Sequence, residues 1–87
     1  FLCNNMNNEH RYVRRGIVQA LGELGGEIAC KTLTKSLKDR EWGVRMYAVE
    51  SLGKVGNQSH VPKLIPILKD EHEWPRKVAR LSIKKLE

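Results

Sequence analysis

The sequence repeats itself with a period of 31 residues. Displaced by that amount, Val13-Arg14 falls on Val44-Arg45, Leu21-Gly22 on Leu52-Gly53, Gly25 on Gly56, Leu33 on Leu64 and Leu37-Lys38 on Leu68-Lys69. Nine of the 31 positions in 8–38 are identical to their partners in 39–69. Asn8, Asp39 and Asp70 also align, and each is followed six residues later by an arginine: Arg14, Arg45 and Arg76. A period of this length marks stacked supersecondary units, none of which can bury its apolar face alone.

Each period holds two stretches of helical spacing. The first type covers roughly 10–24, 41–55 and 73–86. Its apolar positions are Val13, Ile17, Leu21 and Leu24, then Val44, Ala48, Leu52 and Val55, then Val78, Ala79, Ile83 and Leu86. The second type covers roughly 28–38 and 60–69, with Ile28, Leu33 and Leu37, then Val61, Leu64, Ile65 and Leu68. Gly25 and Gly56 are expected to close the first-type helices, because glycine enters the left-handed conformation at a helix end without strain. Asp70 and Glu73 form a D-x-x-E start signal for the last helix. Pro62 suits the start of a helix. Pro66 is expected to bend that helix and is not read as part of a binding site. No period-2 alternation bounded by turn residues occurs, so the fold class is all-α, an α-solenoid of antiparallel helix pairs.

Composition narrows the rest. Eighty-seven residues allow one small domain or a slice of a larger array. With 40% hydrophobic and 30% charged residues the chain is neither disordered by composition nor membrane-spanning. No signal peptide is recognisable, and no membrane partner is expected. Cys3 and Cys30 lack C-x-x-C spacing and read as free thiols of a reducing cytoplasm. The chain opens Phe1-Leu2-Cys3 without an initiator Met, and Leu2 and Met6 stand one period before Leu33 and Leu37. The frame thus runs off both ends and reads as a fragment. Residues 1–7 form half a repeat, 8–38 and 39–69 two repeats, and 70–87 the first helix of a further one. Apolar surface around Leu2 and Met6 is expected to promote self-association through exposed repeat ends.

The motif V-R-x-x-A-x-x-x-L-G-x-x-G, followed by spaced leucines and a closing Asp, resembles the HEAT-like repeat of the phycobilisome-lyase type. It is carried by Val44-Arg45, Ala48, Leu52-Gly53, Gly56, Leu64, Leu68 and Asp70, and in the preceding copy by Val13-Arg14, Ile17, Leu21-Gly22, Gly25, Leu33, Leu37 and Asp39. The last copy keeps Arg76, Ala79 and Ile83 but has Lys84 and Glu87 where the glycines stood. Two readings follow: the array ends here, with Lys77, Arg80, Lys84 and Lys85 as the polar outer face of a terminal unit, or the helix continues beyond Glu87. The resemblance implies that Arg14, Arg45 and Arg76 lie at repeat interfaces near Asp39 and Asp70, as a structural ladder. A guanidinium suits that place because its donors meet a carboxylate and carbonyls together. The resemblance also implies that the second-type helices line an inner, concave face.

On that face Lys31, Lys35 and Lys38 follow at i, i+4 and i+7, and Lys63 and Lys69 occupy the next second-type helix. These five are the candidate partner-binding residues, in a chain of net charge +6. A less regular basic face comprises Arg15, Lys77, Arg80 and Lys84 on the first-type helices. Trp42, Trp74 and Tyr12 sit at equivalent helix starts, where an aromatic ring seals the seam between units. His10, His60 and His72 show no metal-ligand spacing with either cysteine, and no metal or cofactor is expected. The His-Glu pairs of the iron-binding HEAT-like hydroxylases are absent: Arg15-Gly16, Met46-Tyr47 and Lys77-Val78 stand there. No nucleophile elbow or phosphate loop occurs, so no catalytic residue is named. The expected function is a non-catalytic scaffold holding an acidic protein segment. The alternatives are sequence-independent nucleic-acid binding and a subunit fragment of a bilin-lyase-like enzyme.

Overall fold

The computed structural model describes residues 10–87, and among them every regular element is helical. Helix α1 spans Arg11–Leu24, α2 Gly26–Ser36, α3 Trp42–Val55, α4 Val61–Leu64 and α5 Glu73–Leu86. Short 3-10 segments at Gln58–His60 and Ile65–Lys69 flank α4. The three long helices begin at Arg11, Trp42 and Glu73, successive starts 31 residues apart. They form one layer in which α3 packs between α1 and α5, while α2 lies on α1 and α3 and the 65–69 segment on α5. The predictions placed on Leu2, Met6 and Asn8 lie outside the described residues.

Helix α3 is covered by both of its long neighbours. Val44, Ala48, Val49 and Leu52 are wholly inaccessible, and they join Ile17, Val18, Leu21, Leu33, Leu64, Ile67 and Ala79 in one core. Gly22 and Gly53 belong to these helix contacts. A Cβ on Gly22 would come 2.8 Å from Cβ of Ser51, and one on Gly53 would come 2.9 Å from Cβ of Ser82. A glycine on each helix thus faces a serine on the next, and the backbones approach closely. The buried Ser51 hydroxyl donates to the Val18 carbonyl at 3.1 Å, so this polar contact costs no unsatisfied group. The corresponding position of α5 is Lys84, which is exposed.

The helix ends differ in part from expectation. Gly25 closes α1 at φ 70° and donates its N–H to the Leu21 carbonyl at 3.0 Å. Gly56 closes α3 by the same kind of bond, to Leu52 at 2.8 Å, but at φ −83°. Its need for glycine is steric, since a Cβ there would sit 2.6 Å from the Leu52 carbonyl oxygen and 3.1 Å from Nδ1 of His60. The expected D-x-x-E cap is absent: His72 precedes α5, and Asp70 turns its carboxylate back toward α3. The second-type helix over 60–69 is interrupted. Pro66 has no N–H for the carbonyl of Pro62, so the α pattern stops at Leu64 and the chain tightens into 3-10 geometry over Ile65–Lys69. Val13, Leu24, Ile28 and Ile65, read as apolar-face positions, are 42%, 70%, 73% and 47% exposed.

Candidate binding surface

Two sets of side chains stand out, a buried one that recurs with the repeat and an exposed one that as a set does not. The buried set is the arginine–aspartate ladder. Arg14 donates from Nε and Nη2 to Oδ2 and Oδ1 of Asp39, at 2.9 and 3.2 Å. One repeat later Arg45 makes the same fork with Asp70, at 2.7 and 3.1 Å. Each pair joins an arginine to an aspartate 25 residues further on. The remaining nitrogen reaches back, with Arg45 Nη1 donating to the Asp39 carbonyl at 2.8 Å and Arg76 Nη1 to the Asp70 carbonyl at 2.6 Å. Asp39 and Asp70 also accept the backbone N–H of Glu41 and His72 through Oδ1, both at 2.9 Å, which shapes the turns into α3 and α5. Side-chain exposures of 5–11% in the two pairs place this network inside the protein.

Burial pushes the Asp70 carboxyl up, but the Arg45 hydrogen bonds, the His72 N–H and the Arg45 and His72 charges together hold it below the ordinary carboxylate value. An aspartate titrates near 3.9 in an unfolded chain, so as acid is added the unfolded state takes up this proton first. The contribution is therefore complete above that value and is lost as pH falls through the lower, folded one. Thermal melts between neutral pH and pH 2.5 should show the melting temperature declining below about pH 4. Asp70→Asn should be less stable at neutral pH and show a shallower acid decline. Equal slopes for variant and wild type would contradict this assignment.

The exposed set surrounds the space between α2 and the Ser59–Ile67 segment. A recess of about 470 Å³ is lined by Thr34, Lys35, Leu37, Lys38, Pro62, Lys63, Pro66 and Ile67. A second, of about 540 Å³, shares Thr34, Lys35 and Lys63 and adds Glu27, Cys30, Lys31, Ser59 and His60. Four of the five candidate lysines therefore meet around one surface, while the exposed Lys69 lines neither recess. Lys31 has a loose, exposed pair with Glu27 at 3.8 Å. Among the described residues no carboxylate pairs with Lys35, Lys38 or Lys63. Pro66 lines the first recess instead of merely bending a helix, and sequence reading also passed over Pro62 and Ile67 there. The signal was two prolines one helical turn apart, which implies an apolar strip without donors.

Of the second basic face, Lys77, Arg80 and Lys84 are exposed on α5, while Arg15 is drawn away from them. Arg15 is half-buried in the seam between α1 and α3, paired with Glu41 at 3.0 Å and lying over the rings of Tyr12 and Trp42 at 5.5 and 5.6 Å. Trp42 stacks on His72 at 4.3 Å, so its ring bridges consecutive repeats. Trp74 is 52% exposed and lies beneath Lys77, which pairs with Glu73 at 3.1 Å. His60 is engaged locally, its Nδ1 accepting the Asn57 N–H at 3.0 Å.

No helix among the described residues is long and apolar enough to cross a membrane. No curated protein matches the chain. The phycobilisome-lyase subtype rests on the sequence motif alone, whereas the family does not. A family model of HEAT repeats matches residues 1–84, and with the stacked helical layer and its recurring arginine–aspartate forks this establishes that the chain belongs to the HEAT repeat family.

Proposed function

We propose that this chain is a protein-interaction scaffold that binds an acidic partner segment through Lys31, Lys35, Lys38 and Lys63, with Lys69 at the margin. HEAT repeats are commonly interaction scaffolds and generally non-catalytic, which supports the coarse role. The finer reading is carried by one observation: lysines from α2 and α4 converge on adjoining recesses, and Lys35, Lys38 and Lys63 have no carboxylate partner among the described residues. Unpaired ammonium groups on facing elements favour a negative ligand lying between them. In this reading 8–38 and 39–69 are the repeating units, the ladder Arg14, Asp39, Arg45, Asp70 and Arg76 fixes their stacking, and the protein works in the cytoplasm.

Fluorescence anisotropy tests the proposal. A labelled oligoglutamate peptide and a labelled DNA duplex are titrated with protein at low and at physiological salt. Wild type and the Lys31→Glu/Lys35→Glu/Lys38→Glu variant run side by side. The peptide should bind wild type, weaken with salt and lose its affinity in the variant. Binding of the duplex alone, with a steep salt dependence, would transfer the surface to nucleic acid. Silence from both ligands at low salt would remove the proposal.

A further inference from the structure

The walls of the recess are cationic but its floor is not. Leu37 and Ile67, both nearly buried, lie beneath it, and the exposed rings of Pro62 and Pro66 complete its far side. Neither proline offers an N–H to a ligand. Lysine-bearing surface that only kept the chain in solution would gain nothing from an apolar floor. The second recess adjoins it and adds Glu27, Cys30, Ser59 and His60 to the Thr34, Lys35 and Lys63 that the two share. The surface therefore has two ends with different linings: Leu37, Pro62, Pro66 and Ile67 at one, and Glu27, Cys30, Ser59 and His60 at the other. Lys31, Lys35 and Lys63 lie at the Ser59–His60 end, and Lys35, Lys38 and Lys63 rim the end floored by Leu37 and Ile67.

We infer that this surface takes an acidic protein segment carrying one apolar side chain, which seats on Leu37, Pro62, Pro66 and Ile67 while carboxylates meet the lysines. The inference rests on the scaffold reading above and specifies its ligand. Along α2 the helical rise places Lys31 and Lys35 about 6 Å apart and Lys38 about 4.5 Å further on. An extended chain advances about 3.3 Å per residue, so its same-side residues recur every ~6.6 Å. Two carboxylates two residues apart then match Lys31 and Lys35, and the next same-side residue reaches the end floored by Leu37 and Ile67. The spacing sought is acidic-x-acidic-x-apolar. A phosphate backbone fits less well, because it brings nothing apolar to the floor. The rings on which bases would stack are elsewhere, since Trp42 is held between Arg15 and His72, and Trp74 is on α5.

Two labelled peptides test this on the intact chain. One contains Glu, Ser, Glu, Ser, Leu in succession, and its twin has Ser in place of Leu. Affinities come from anisotropy, and the methyl signals of Leu37 and Ile67 are followed by NMR. The Leu peptide should bind about tenfold more tightly than its twin, which corresponds to burying roughly half or more of a leucine side chain. It should move both methyl signals, while the twin leaves them in place. Pro62→Ser, at an exposed position, should narrow the difference between the peptides. Equal affinities with unmoved methyls would overturn the apolar anchor while leaving the acidic-partner reading intact. Failure of both peptides at low salt would overturn both. Tight duplex binding with no peptide binding would replace the ligand with nucleic acid and likewise overturn the inference.

Discussion

An Arg45→Ala variant is expected to lose about 3–5 kcal/mol of stability, the usual consequence of removing one member of a buried ion pair. Arg45 satisfies both Asp70 oxygens and the Asp39 carbonyl from three different nitrogens. Alanine would leave Asp70 charged, nearly inaccessible and without its counter-ion. For a chain of 87 residues, total stability near 0.05–0.15 kcal/mol per residue makes this a large fraction of the whole. Urea unfolding followed by circular dichroism should show the midpoint falling sharply or the variant unfolded in buffer. Arg45→Lys should fall between the two, because an ammonium keeps the charge but not the planar fork. A change below about 1 kcal/mol would place the pair among the weak surface bridges and contradict its structural role.

Leu52→Ala should cost about 2–5 kcal/mol, the range for emptying a leucine site in a packed core. Leu52 is wholly inaccessible in the helix that both long neighbours cover. Leu24→Ala is the matched control, at a position of the same apolar pattern that is 70% exposed. It should change stability by less than about 0.5 kcal/mol, as surface substitutions away from special features do. The same unfolding curves measure both, and comparable losses from the two variants would show that the packing of α3 has been misassigned.

Much of the fold is legible because stacking repeats demand the same residues at the same offset. Arg14 and Arg45, Asp39 and Asp70, and Gly22 and Gly53 announce themselves by recurrence, and the three long helices follow from it. What a single helical stripe cannot show is that a helix between two others is buried on two sides. Val18 and Val49 are wholly inaccessible yet lie off the stripe that Ile17, Leu21, Ala48 and Leu52 define. Val13 shows the converse. It shares its repeat position with Val44 and Pro75, both buried, and is itself 42% exposed. Gly22 and Gly53 were visible as residues, but their purpose became visible only with Ser51 and Ser82 against them.

The proposed binding surface is legible in the same uneven way. The spacing of Lys31, Lys35 and Lys38 fixes them to one side of α2 without any tertiary information. The recess beside them depends on where Pro66 ends α-helical hydrogen bonding, a competition between local sterics and packing that periodicity does not register. Lys69 illustrates the limit: a second-type helix over 60–69 carries both it and Lys63, but six residues along an α-helix turn it about 120° away. Of the two, Lys63 alone lines the recesses.

The most direct test of the account asks where an acidic ligand lands. Backbone amide shifts of the labelled protein are recorded while an oligoglutamate peptide is added at low salt. The lysine-face account predicts perturbations gathered in residues 31–38 and 59–67, growing together with a single affinity. Shifts gathered instead on α5 around Lys77, Arg80, Lys84 and Lys85, or no saturable shift at all, would contradict it.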